Sequence, residues 1–100
     1  MSGANRRATI FFNMFKVYIL LCHDLSFYTG HTSNLKQRLK QHHNGDVKTT
    51  KNKKPLKLVY YEIYDAKKEA MARETQIKNW SKQKKINLIK YGHPTKINKK

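Results

Sequence analysis

Six consecutive apolar residues, Val17–Cys22 (VYILLC), constrain this chain more than any other feature. In an extended strand, alternate side chains point to opposite faces. Val17, Ile19 and Leu21 then share one face, and Tyr18, Leu20 and Cys22 share the other. Both faces are apolar, so the strand, Phe15–Cys22 in full, must be covered on both sides. That makes it the centre of a sheet with helices to cover it. The run is far short of the roughly 20 apolar residues that a membrane-spanning helix needs.

The flanking sequence supplies the remaining elements. His23-Asp24-Leu25-Ser26 is a turn, and Phe27–His31 returns as the second strand of a hairpin. Gly30 marks its end and implies either an unusual backbone angle or a close approach. Asn34 caps a helix reaching His43, with Gln37 three residues on, and Asn44-Gly45 stops it. Leu35 and Leu39 form its buried stripe; Arg38 and His42, four apart, stack on an adjacent face. A basic loop, 46–54, leads to Pro55 and a third strand, Leu56–Tyr64. A second helix, capped at Asp65 or the residue after it, reaches Trp80 with Ala66, Ala70 and Ile77 as its stripe. Ser81 caps a third helix that ends at Gly92, with Ile86 and Ile89 inward. The fold class is α+β: one domain, a three-stranded antiparallel sheet flanked by helices, in the order β-β-α-β-α-α. With the first strand central, the third pairs on its free side, and the second strand, helix and third strand make a split crossover. Residues 15–91 form the domain, residues 1–14 are peripheral, and residues 92–100 are a basic tail.

Charge narrows the partners. The 22 Lys+Arg against 6 Asp+Glu leave a net +16 in only 100 residues. Such self-repulsion points to a polyanionic partner, with nucleic acid first. The lone Cys22 cannot make an internal disulfide, which fits a reducing compartment such as the cytoplasm. Arg6-Arg7 before Ile10-Phe11-Phe12 is read as no secretion signal, because Asn13 and Lys16 interrupt the apolar stretch.

Tyr18 in Lys16-Val17-Tyr18, then Tyr28-Thr29-Gly30, then Arg38 and His42, then Glu74: in order and spacing this resembles the GIY-YIG nuclease family. The likeness is greatest to the small stand-alone bacterial members related to the nuclease module of the excision-repair incision enzyme. It covers about residues 15–91. Lys16, Val17 and Thr29 stand where the family's motifs carry glycine, isoleucine and isoleucine. The resemblance implies a metal-dependent endonuclease hydrolysing DNA, with repair or recombination as its setting. Tyr18 and Tyr28 would face the scissile phosphate, Arg38 would bind it, and His42 would handle protons. Glu74 would be the one protein ligand of a single Mg²⁺ or Mn²⁺, and Asn87 stands nearest the family's late asparagine.

Chemistry adds two expectations. A phenol with pKa near 10 is a poor base at neutral pH, so surrounding positive charge is expected to lower Tyr18, with His42 titrating near neutrality. Gly30, His31, Lys48, Lys51, Lys53 and Lys54 are candidate nucleic-acid contacts, the lysines by tracking the backbone. RNA is an alternative to DNA, no membrane is expected as partner, and a protein partner would supply substrate choice. Alternatives are a non-catalytic nucleic-acid-binding module on the same fold and a basic ribosome-associated protein. The bland readings are specific too. Each tyrosine can be a core aromatic, Arg38 and His42 a solvated helix face, and Glu74 the i,i+4 partner of Lys78.

Overall fold

A computed structural model describes residues 14–92. The peripheral segment before Met14, with Ile10-Phe11-Phe12, and the tail after Gly92 lie outside the described residues. The elements are β1 (Phe15–Leu21), β2 (Phe27–Thr32), α1 (Leu35–His43), β3 (Lys57–Tyr64), α2 (Lys67–Lys78) and α3 (Lys82–Tyr91). The sheet order is β2-β1-β3 with both pairings antiparallel, so β1 is central as its two apolar faces require. The flanking strands run parallel to each other, joined through α1 by the expected split crossover. No helix among the described residues is long and apolar enough to cross a membrane.

The two faces of β1 seed two separate clusters. Val17 and Ile19 pack with Ala70 and Ile77 of α2 and Leu88 of α3. Tyr18, Leu20 and Cys22 pack with Leu56, against Leu35 and Leu39 of α1. Burying each aliphatic side chain contributes about 1.5–3 kcal/mol. A register shift in the β1–β3 pairing falls opposite Ile19 and Leu20: Ile19 faces Tyr60, and Leu20 already faces Leu58. Val59 is the extra residue of this bulge. Val59 and Tyr60 therefore both join the Val17–Ile19 cluster, while Leu58 turns to the Tyr18 side.

The ends of the elements follow local chemistry. The Asn34 side chain accepts from the Gln37 backbone N–H, and the Ser81 side chain accepts from that of Lys84. Gly92 closes α3 in the left-handed region, with φ 76°. Several boundaries and stripes differ from expectation. β2 runs through Gly30 to Thr32. α2 starts after Ala66, one of the two expected cap positions, but Ala66 is exposed rather than part of the buried stripe and offers no side-chain cap, and the helix stops at Lys78 rather than Trp80. Leu88, not Ile86 or Ile89, is the fully buried residue of α3. Periodicity in such lysine-rich helices leaves the stripe ambiguous by one residue.

On β3, Tyr60, Glu62 and Tyr64 share one face. Both tyrosine hydroxyls donate to the Glu62 carboxylate, and Arg73 of α2 grips it through Nε and Nη2, both at 2.9 Å. Burial disfavours the ionised carboxylate, but Arg73 and the two tyrosines outweigh it and hold Glu62 below its ordinary value. The Arg73 guanidinium also lies over the Trp80 ring, 5.0 Å from its centroid. This network fixes α2 against β3.

Candidate functional site

The site grows from a cross-strand pair. Tyr18 on β1 lies opposite Gly30 on β2. A Cβ at Gly30 would sit 2.6 Å from the Tyr18 hydroxyl oxygen and 3.1 Å from a Tyr28 ring carbon. Gly30 is thus needed for close approach, since its φ is not positive among the described glycines. Its missing side chain lets the Tyr18 ring lie across β2 next to Tyr28, with centroids 6.2 Å apart.

α1 completes the arrangement. His42 is 0% exposed, and its Nε2 lies 2.9 Å from the Tyr18 hydroxyl oxygen. Its Nδ1 lies 2.8 Å from Thr50 Oγ1 in the following loop. A neutral imidazole has one N–H and one lone pair, so one of these contacts is a donation and the other an acceptance. Tyr28 meets the His42 ring edge-on at 4.9 Å. One turn earlier, the half-buried Arg38 donates from Nη1 to Gln41 Oε1 at 2.9 Å, and its charge faces both Tyr18 and Tyr28.

Electrostatics overturn two expectations from sequence. Burial pushes the Tyr18 hydroxyl up to about 12, against the opposing pull of Arg38. Burial, with the neighbouring Arg38 charge, pushes His42 down to about 4. The lowered phenol and the near-neutral histidine are therefore both incorrect. Desolvation disfavours a charge on either group and outweighs the general positive field. At neutral pH the pair is an uncharged phenol held against an uncharged imidazole.

Glu74 projects from α2 near Tyr18, whose hydroxyl feels its charge. One carboxylate oxygen takes a hydrogen bond from His31 Nδ1; the other accepts from Lys78 Nζ at 2.7 Å. Burial works against ionisation, but Lys78 and His31 outweigh it and hold the carboxyl below its ordinary value. The i,i+4 pair with Lys78 thus exists, and the second contact is His31 on β2, the residue after the Gly30 that faces Tyr18. No group of three or more His, Cys, Asp or Glu converges among the described residues. An ionised, partly buried carboxylate still fits a hard cation that fills most of its shell with water and phosphate oxygens. A donor set of several protein ligands is not what Mg²⁺ requires.

The remaining candidates are dispersed. Lys48 and Lys51 are exposed in the loop after α1. Lys53 is 3.9 Å from Asp24, and Lys54 Nζ donates to the His43 carbonyl at 3.2 Å, so both also tie the loop to the domain. Asn87 lies on α3 and accepts from Gln83 at 3.1 Å. Two contributors escaped the sequence reading. Gln41, three residues after Arg38, was detectable as its helix-face neighbour. Thr50, one of two adjacent threonines in a lysine-rich loop, carried no signal.

The family model described as the GIY-YIG catalytic domain matches residues 14–87. A UPF0213 protein of Clostridium perfringens is 49% identical over 74 residues, spanning 73% of this chain and 80% of that protein. Another, from Staphylococcus saprophyticus, is 46% identical over 77 residues, spanning 76% of this chain and 94% of the relative. The solution NMR structure of the UPF0213 protein BH0048 from Bacillus halodurans has a TM-score of 0.52 and 38% identity, over 77% of this chain and 83% of that one. Nucleases of the matched family typically use a divalent metal and act on nucleic acid. The chain belongs to the GIY-YIG family, alongside the bacterial UPF0213 proteins.

Proposed function

We propose that this protein is an endonuclease that hydrolyses DNA phosphodiester bonds, with Tyr18 and His42 acting as a proton relay. The observation that carries this reading is the buried 2.9 Å contact between the Tyr18 hydroxyl and His42 Nε2, with Arg38, Tyr28 and Glu74 around it. A simple core tyrosine would not need a glycine opposite it and an arginine charge facing it.

In the relay, Tyr18 donates its hydrogen to His42 Nε2, and His42 Nδ1–H donates to Thr50. Tyr18 is fully buried in the free protein, so substrate binding has to admit a water beside it; that water gives one proton to the phenol oxygen as the phenol proton passes to Nε2. The hydroxide forms its bond to phosphorus while the bond to the leaving oxygen breaks. No free phenolate is required, which suits a hydroxyl with a pKa of about 12. A phosphate anion at the site raises the affinity of His42 for the incoming proton. Arg38, held by Gln41, places its planar fork on the phosphoryl oxygens as charge accumulates there. Tyr28 fixes the phosphate or the water. Glu74, released from His31 and Lys78, would hold one Mg²⁺ or Mn²⁺, which would supply neutralisation of phosphate charge and stabilisation of the leaving oxygen. Lys48 and Lys51 supply contacts to the DNA backbone.

The test is nicking of supercoiled and branched DNA, with Mg²⁺ and with chelator, by wild type, Tyr18→Phe, Arg38→Ala and Glu74→Gln. The expected result is metal-dependent cleavage that each substitution abolishes, with salt-sensitive binding retained. Binding without cleavage by the wild type, across both substrates, contradicts the reading and leaves a nucleic-acid-binding module.

A further inference from the structure

Among the described residues, the sheet face that carries Tyr18 is only half covered. α1 packs over the Leu20 end, where Leu56 and Leu58 also lie. The other end carries Lys16 of β1 and Ile63 and Tyr61 of β3. Lys16 pairs with Ile63, and Tyr18 pairs with Tyr61. Antiparallel partners share a face at a Cβ spacing of about 5 Å. Tyr61 therefore flanks Tyr18 on the side away from Gly30. It is 50% exposed, and Ile63 is 51% exposed.

The rest of β3 makes this exposure informative. Tyr60 and Tyr64 spend their hydroxyls on Glu62. Tyr61 makes no side-chain hydrogen bond and no ring contact among the described residues. An exposed aromatic ring bordered by an isoleucine and a lysine, on a chain of net charge +16, matches the recognition of an unpaired nucleotide. The ring offers a stacking surface and the cation meets the adjoining phosphate.

We propose that the open half of this face, formed by Tyr61, Ile63 and Lys16, binds an unpaired nucleotide next to the phosphate held at Tyr18, its base stacked on the Tyr61 ring. This rests on the nuclease reading and deepens it by naming the substrate class: DNA with an unpaired strand at the cut, such as a flap or overhang. A closed duplex keeps its bases stacked in the helix and has none to offer the ring.

The test measures binding, in chelator, of an overhang DNA carrying 2-aminopurine in its unpaired strand, beside a blunt duplex of the same sequence. Tyr61→Ala is expected to weaken overhang binding about tenfold or more and to abolish the change in 2-aminopurine fluorescence. Tyr61→Phe keeps the ring and is expected to match wild type, and neither variant alters binding of the blunt duplex. Unchanged overhang binding by Tyr61→Ala overturns the inference, whether because a second copy or another part of this chain covers the ring. Equal loss on both DNAs overturns it too. Cleavage is read separately with Mg²⁺. A wild type that binds overhangs through Tyr61 without cutting them defeats the nuclease reading alone; one that cuts, with Tyr61→Ala binding normally, defeats this inference alone.

Discussion

The two faces of β1 are equally buried and differ in everything else. On one, Val17 and Ile19 meet Ala70, Ile77 and Leu88, a hydrocarbon cluster bordered by the Glu62–Arg73 network, with the unpartnered hydroxyl of Thr29, the cross-strand partner of Ile19, buried beside it. On the other, Tyr18 brings a hydroxyl to the same depth, where His42 and Thr50 receive it. Burial on the first face contributes stability. On the second it sets the ionisation of groups that the proposed chemistry uses. Depth alone does not distinguish core from site; the polar partners found at that depth do.

This comparison breaks most sharply through paired substitutions. Tyr18→Phe removes one oxygen atom from the second face. Cleavage should fall by roughly 10²–10⁴-fold, the usual worth of a positioned proton-transfer group, while the chain stays folded by circular dichroism. Ile77→Ala on the first face should cost about 2–5 kcal/mol of unfolding free energy in a denaturant titration. Per folded molecule it should leave cleavage intact. If Ile77→Ala slowed cleavage as much as Tyr18→Phe, the division between the faces would fail.

The pH dependence sharpens the same contrast. His42 has a folded pKa near 4 against 6.5 unfolded. Below about 6.5 the unfolded chain therefore binds the extra proton and the folded chain does not. Stability falls as pH drops, by roughly 3 kcal/mol between pH 6.5 and 4. Thermal melts across that range check the size, and His42→Asn should flatten the slope. The smallest effect belongs to the first face. The Thr29 hydroxyl is buried without a hydrogen-bond partner among the described residues. Thr29→Val keeps the shape and removes the desolvation penalty, so the melting temperature should rise by the equivalent of about 1 kcal/mol.

Much of this arrangement was legible in the residues. Two apolar faces on Val17–Cys22 required a central strand, and the order β2-β1-β3 follows from it. The i,i+4 spacing brought Arg38 and His42 to one side of α1. What spacing lacks is depth. The chain after α1 returns to place Thr50 on His42, and that closure buries the imidazole completely. A loop rich in lysine reads as solvated, so the burial, and with it both pKa directions, was invisible. The sequence marks Gly30 as special, but only the register with Tyr18 decides for close approach over backbone angle. Likewise Tyr61 gains meaning only from its pairing with Tyr18, because the bulge at Val59 decides which tyrosines of β3 face inward.

The central claim is that an uncharged, buried Tyr18–His42 pair stands ready to move one proton. Nitrogen NMR of the histidine rings, followed from pH 8 to pH 4 on the folded chain, tests it most directly. The account predicts that His42 keeps one protonated nitrogen, Nδ1, and one hydrogen-bonded lone pair, Nε2, until the pH approaches 4. A His42 ring that becomes doubly protonated near pH 6.5 would contradict it.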